Sequence, residues 1–493
     1  MDLTRRSVLQ QTVLALAAAA ARARPARASP AEAVTSAGDD GQAVMAKLSA
    51  YMSAAGEREL PADVAEKTKH HILDTLAAMV SGVELPPARV ALKFARAHDA
   101  EKTATIVGAD VLCSAIDAAL VNGMLAHSDE TDDSHAPSHS HPGCAVVPAA
   151  LAAGEHFGIS GSRFLRAVAL GYDIGPRVMI TLGGFPFQMQ THRSSHNHAG
   201  NFGAAAAAGC AAGLNSQQMR WLLSYTAQQA SGVAAWQRDT QHIEKSLVFA
   251  GMPARNGVTS ALLIALGASG VDDIMSGDDN FLLASWPKAD PLNLIDKLGE
   301  RYEVTRTNVK KWSVGSPIQA PLDALQILMK RHPWQTDQVQ KVVVRVATSE
   351  LKTVNNREMP DISMQHMVAV MLVDRTASFA AAHDKPRMRD PAILRERGKV
   401  QVVGDEELER LYPKRVAVVE VTLGNGTLLT ERVEAVRGTA QNPMPREEII
   451  EKSQELIAPF LGPAKCKRLI DDVFSLERLA DVRALRPSLQ RTA

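Results

Sequence analysis

Ser162-Arg163-Phe164-Leu165-Arg166-Ala167-Val168-Ala169-Leu170-Gly171-Tyr172 places Phe164, Leu165, Val168 and Tyr172 on one face of a helix, with Ser162 able to cap its first turn. Working outward, the same spacing recurs between short breaks from 39 to about 289, at 62–80, 115–126, 145–157, 203–214 and 250–266. These runs are rich in Ala and Gly, which let helix backbones approach closely. They predict a compact helical bundle over 40–295.

The character changes after about Pro291. Residues 339–346 are rich in β-branched side chains, and 416–423 lead through Gly424-Asn425-Gly426 into 428–433, the pattern of a β-hairpin. Helical stretches at 321–330 and 364–372 accompany these strands, and the tail at 446–460 and 466–474 returns to helix. The fold class expected is mainly α with an α+β second domain. A large helical domain (40–295) is completed by 438–493, and a smaller α+β domain spans 296–437.

Composition narrows the function classes. The 493 residues carry 54 Lys+Arg against 54 Asp+Glu, and 46% are hydrophobic. A balance of this kind fits a globular protein and gives no electrostatic footprint for nucleic acid. At the start, Thr4-Arg5-Arg6-Ser7 precedes the apolar run 13–21 and then Ala26-Arg27-Ala28, the layout of a twin-arginine export signal over 1–28. Its removal takes away five Arg and one Asp and leaves 49 basic against 53 acidic side chains. A periplasmic destination is expected. No later stretch holds 18 uncharged apolar residues, so no membrane association is expected once the signal is gone. Cys113, Cys144, Cys210 and Cys466 are widely spaced in apolar or helical sequence and read as buried free thiols.

Seven of the fifteen histidines fall in two short segments. The first, 127–143, holds His127, Asp129, Glu130, Asp132, Asp133, His135, His139 and His141 between two apolar helices, a loop that a scaffold would hold in place. A solvated interhelix loop is the plainer reading. Residues His135, His139 and His141 with Asp132 or Asp133 also have the ligand types for a transition metal, although no metal-site spacing is present. The second segment contains His192, Arg193, His196 and His198, then Gly200 and Gly203 ahead of an alanine-rich helix. Helix starts after Pro142-Gly143 and near Gly203 would offer amide groups to an anion. Lys245 and Lys310, taken alone, read as surface charges.

In order along the chain come 121–128 leading into the acidic stretch and His141-Pro142-Gly143, then Gly200-Asn201-Phe202-Gly203, Gly251-Met252-Pro253-Ala254-Arg255-Asn256-Gly257 and Met364-Gln365-His366. With these motifs the chain resembles the MmgE/PrpD family over about 40–475. The resemblance implies a helical domain and a smaller lid domain with the site between them, a homodimer, and no metal or organic cofactor. It places His141 on the active-site histidine, Glu130 on an aspartate position as partner to His141, and Ser134 on a threonine position that contacts substrate. His192 or His196 stands near a second histidine. Lys245 and Lys310, with Lys311 as the alternative to the latter, match lysines that hold substrate carboxylates, and His366 stands where some relatives have tyrosine. A histidine that follows Lys245 by three residues in the family is here Val248.

The activity expected is that of a cofactor-independent lyase. It would abstract an α-proton from a small carboxylate substrate, with loss of water or carbon dioxide. Epimerisation of a substituted dicarboxylate uses the same proton-transfer pair. A metal-dependent hydrolase or hydratase built on His135, His139 and Asp133 is the competing class.

Overall fold

The computed structural model describes residues 35–98 and 101–491, with side chains from Ala43 onward. The expected export signal, 1–28, lies outside the described residues. Helices of eleven residues or more are numbered: α1 (Thr35–Ala54), α2 (Ala62–Gly82), α3 (Pro86–Ala97), α4 (Ala115–Ala126), α5 (Gly143–Phe157), α6 (Gly161–Thr181), α7 (Ser195–Ala212), α8 (Ser216–Gln229), α9 (Met252–Ala265), α10 (Ser316–Arg331), α11 (Met364–Asp374), α12 (Arg446–Leu461) and α13 (Pro463–Phe474). A short antiparallel pair, β1 (Ala104–Thr105) and β2 (Leu112–Cys113), precedes a sheet of β3 (Val339–Ala347), β4 (Val400–Asp405), β5 (Ala417–Leu423) and β6 (Leu428–Val433). The protein is mainly α with a smaller α+β part, as its sequence implies.

The stretch 162–172 lies inside α6, and its apolar face is buried at Phe164, Leu165, Val168 and Tyr172. Complete burial of a side chain such as Phe164 contributes roughly 1.5–3 kcal/mol. Its cap is Ser160, whose hydroxyl accepts from the Arg163 amide at 3.2 Å, two residues before the expected Ser162. Close approach explains the small residues. A Cβ added at Gly175 of α6 would lie 2.4 Å from the Ala199 carbonyl oxygen of α7, so these two helices meet almost backbone to backbone.

Two hydrophobic cores form within 41–493. One draws on residues between Val44 and Val309 together with Met444–Leu489. The other draws only on residues between Trp312 and Val436. The tail therefore returns to the first core, through Ile449, Leu456 and Ile457 of α12 and Leu469 and Val473 of α13.

In the second core the strand order is β4-β3-β5-β6. The expected hairpin is β5–β6, with Thr422 opposite Leu428 and Gly426 at φ 84° in the turn. Strand β3 pairs antiparallel with β5 and parallel with β4, an edge strand not foreseen from the sequence. Valines 342, 344 and 346 alternate inward along β3 against α10 and α11, whose apolar residues share this core.

The helical run Ile243–Ala265 is long and apolar enough to cross a membrane by length and composition, yet 67% of its 18-residue apolar window is buried inside the protein. All four cysteines are buried free thiols, as expected.

Candidate active site

The site grows from the loop between α4 and α5. Burial would ordinarily penalise so much charge, yet Asp129, Glu130, Asp132 and Asp133 are each 5% exposed or less. Each acidic group has its own partners. Glu130 forms an ion pair with Lys245 and lies 3.5 Å from Lys310 Nζ, which also donates to the Glu130 carbonyl at 2.9 Å. Asp132 accepts from His127 Nδ1 at 2.9 Å and faces His141 Nδ1 at 3.3 Å, with Lys310 at 3.6 Å. Asp133 accepts from the Tyr172 hydroxyl at 2.6 Å and the Gly143 amide at 3.1 Å, with His71 at 3.3 Å. Between them, the Thr131 carbonyl accepts from Lys452 of α12 at 3.1 Å, and Lys452 also pairs with Asp74 of α2 at 2.6 Å.

The first turn of α5 has room for this only as glycine. A Cβ at Gly143 would stand 2.4 Å from the Tyr172 hydroxyl and 2.8 Å from Asp133 Oδ2. The Gly143 amide is spent on Asp133, so the anion site expected after Pro142-Gly143 is filled by the protein's own carboxylate. The second expected anion site also falls away. Helix α7 starts at Ser195, capped by Ser194, and Gly200 and Gly203 lie inside it.

Three imidazoles, His127, His141 and His196, surround Phe249, which lies in a π-helical turn at Leu247–Gly251. His196 stacks on the Phe249 ring at 3.8 Å and His127 at 4.7 Å. His141 lies 5.2 Å from each of these two histidine rings, and His242 lies 5.0 Å from His127. The Nε2 atoms of His127 and His242 are buried with no hydrogen-bond partner among the described residues. His141 and His196 border a cleft of about 310 Å³, roofed from the second core by Tyr412 and Arg415 and edged by Ser134 and Asn308.

The charges balance. Burial would raise Glu130, but Lys245 and Lys310 outweigh it and hold its pKa well below the carboxylate range. Burial likewise works against Asp132, yet His127 and His141 keep it ionised. Lys310 loses hydration, and Asp132 and Glu130 more than compensate, so its pKa is raised. Burial lowers His141 below the ordinary imidazole value although Asp132 opposes it, and lowers His196 much further because its neighbours are other imidazoles and Lys245. Two buried carboxylates facing Lys245 and Lys310, beside His141 and His196 whose protonation burial disfavours, make a cluster of perturbed groups of a kind that can serve proton transfer.

Several expected residues stand elsewhere. His192 is exposed, in a left-handed conformation (φ 58°) at the end of the helix Phe185–Thr191, and takes no part in the cluster. His366 is fully buried beside the second core, both ring nitrogens without a hydrogen-bond partner among the described residues, and burial drives its pKa down to about 4. Asp132, and not Glu130, faces His141 at 3.3 Å, while Glu130 pairs with Lys245. Ser134 lines the cleft while its backbone pairs with Asn308. Of the two adjacent lysines Lys310 enters the site, whereas Lys311 turns to Gln326 at 2.6 Å.

The metal alternative does not assemble. His135 binds Ser138 at 2.7 Å and Glu303 at 3.1 Å, His139 packs on Phe185 and His196, and Asp133 faces Tyr172. Ligand-type atoms of His127, Asp132 and His141, and of His127, Glu130 and His242, do come within 4.8 Å of each other among the described residues. In both sets the carboxylate is already neutralised by Lys310 or Lys245, so these donors suit proton and anion chemistry rather than a divalent cation.

Sequence reading overlooked Asp132 as the histidine partner and His242 altogether. His242 stands three residues before Lys245, and its left-handed conformation (φ 65°), which turns its ring to the site, leaves no mark in residue type.

Family models match along most of the chain, the MmgE/PrpD N-terminal domain over residues 46–291 and the MmgE/PrpD C-terminal domain over 312–476. The chain belongs to the MmgE/PrpD family. Among MmgE/PrpD relatives, it is 24% identical over 479 residues to a cis-aconitate decarboxylase of Aspergillus terreus, covering 90% of this chain and 95% of the relative. It is 25% identical over 451 residues to the human cis-aconitate decarboxylase, covering 87% and 90%. A mouse protein of the same name is 24% identical over 458 residues, covering 87% and 91%.

Proposed function

We propose that this MmgE/PrpD protein is a lyase that acts on a small polycarboxylate by moving a proton at the carbon next to a carboxylate, with loss of water or carbon dioxide. The observation that carries the reading is His141. Its Nδ1 is turned to buried Asp132 at 3.3 Å, its edge reaches the cleft, and Lys310 is held close by.

In an elimination, neutral His141 takes the α-proton, the electron pair forms the double bond, and the β-hydroxyl leaves as water with the proton returned by the His141 imidazolium so formed. In a decarboxylation, carbon dioxide leaves, the carbon–carbon electron pair is held by the neighbouring unsaturated carboxylate, and a proton from water passes through His141 to carbon. Both routes build negative charge on a carboxylate, and the match of Lys310 and Lys245 to the family's carboxylate-holding lysines supports a stabilising role for them. The decarboxylase names of the relatives support the second route. Epimerisation needs only the proton transfer.

Proton NMR in deuterated water, with cis-aconitate, citrate, 2-methylcitrate and malate offered in turn, tests the reading. New vinyl signals or deuterium entering at the α-carbon are expected. Folded protein that leaves every acid unchanged and binds none would overturn it.

Two further proposals come from the sequence: export by the twin-arginine route and a homodimeric assembly. Replacing Arg5 and Arg6 with lysine should retain the chain in the cytoplasm on fractionation, and sedimentation should give twice the chain mass.

A further inference from the structure

Asp129, the first acid of the loop, is contacted from the second core. His383 ends the short helix Phe379–His383 and brings Nε2 to 2.9 Å from Asp129 Oδ2. Its Nδ1 lies 2.7 Å from the Phe379 carbonyl oxygen. At Nε2 the contact is one of charge and distance, since this nitrogen has no hydrogen-bond partner among the described residues. A buried carboxylate oxygen at this distance attracts the ring when it is charged, which favours the imidazolium form of His383.

The other charges facing this helix reinforce that state. Asp361 comes from the turn Pro360–Ile362 packed on it, and Glu455 of α12 accepts from the Phe379 amide at 3.2 Å. Burial alone would lower the His383 pKa, but Asp129 and Asp361 raise it to about 9. Asp361 is itself pushed up to about 7 by burial, with His383 opposing and Glu130 and Asp129 adding to the rise. Asp129 in turn holds the Thr131 amide at 3.0 Å, so the His383 contact fixes both flanks of Glu130.

We propose that His383 is a positioning residue, a fixed imidazolium through which the second core holds the acidic loop and so sets Glu130 and Lys245 for the substrate carboxylate. This rests on the reading of Lys245 as a carboxylate ligand. With a raised folded-state pKa, the tie is complete below the ordinary imidazole value and is lost as pH rises through about 9.

The test follows histidine ring carbon signals by NMR between pH 6 and 10 in full-length protein, with His383→Gln to assign the resonance. In parallel, binding of the unreactive tricarboxylate tricarballylate is measured by calorimetry. One signal should titrate near 9 and move to 6.5 or below in Asp129→Asn. His383→Gln should bind the ligand at least tenfold more weakly at pH 7, and the wild type should weaken across pH 9 while the variant does not. Titration of His383 at or below 6.5, or equal affinities with the same alkaline profile, overturns the proposal even where turnover is found. Should His383→Gln fail to fold, the wild-type alkaline profile and the Asp129→Asn titration decide alone. If His383 titrates near 9 but the wild type binds no carboxylate, the tie stands, and the positioning role falls together with the lyase reading.

Discussion

His135 and His141 lie six residues apart in one loop, each facing a buried carboxylate, and they do opposite things. His135 is bonded on both ring nitrogens, to Ser138 and Glu303, and Glu303 is neutralised by Arg301 and Arg306. His141 is held by Asp132 on one side only, and its ring borders the cleft. The difference teaches that a histidine's chemistry is set by what its second nitrogen meets. A fully bonded imidazole is a strut, and a half-bonded one can carry a proton.

The strongest way to break this comparison is to truncate each ring. His141→Ala should lower turnover by about a thousandfold or more, in the range expected for losing a general base or acid, with its thermal midpoint little changed. His135→Ala should do the reverse, costing stability while activity per folded molecule stays within a few-fold. A His135→Ala protein that is stable but inactive would dissolve the distinction. Next in size is Asp132→Asn, which leaves the His141 ring in place but removes its anionic partner. Turnover should fall about a hundredfold, in line with losing a ligand-orienting carboxylate.

The strut can be sharpened by acid. Burial opposes ionisation of Glu303, but His135, Arg306 and Arg301 bring its pKa to about 2. A carboxylate with a depressed folded-state pKa stabilises above its unfolded value and loses that contribution as pH falls, so Glu303 should withdraw about 3 kcal/mol between roughly pH 4.5 and 2. Glu303→Gln should flatten this part of the denaturation profile. His141 gives the opposite kind of curve. Because burial lowers its pKa, kcat/KM should stay level through pH 6.5 and fall only below it. The smallest effect belongs to exposed His192, whose change to alanine should leave turnover within about twofold.

Much of this was legible in sequence, and the reasons for the remainder are physical. Helices such as α4 and α6 announce themselves as long apolar runs, and they are buried along nearly their whole length. The β5–β6 hairpin carries its own turn signal. Strand β4 does not, since a short parallel edge strand is defined by pairing with β3 some sixty residues earlier. Within the site, residue type identified the acidic and histidine-rich loop, but partners depend on which way each backbone bond turns. Asp132 faces His141, and Glu130 faces the lysines. His366 looked like a site residue through its motif and is instead buried beside the second core. His383 belongs to no histidine-rich segment, and its role is set by a carboxylate 254 positions earlier in the chain.

Lys452 reaches the Thr131 carbonyl across 321 positions, and its second partner, Asp74, is further still in sequence. On the ribosome this ordering matters. The helices of the first core emerge early, but the loop of Asp129–Asp133 receives this ammonium only after nine-tenths of the chain has been made. The geometry of this loop is therefore completed late in synthesis, and a nascent chain halted before α12 would hold much of a helical bundle with an acidic loop lacking one of its counter-charges.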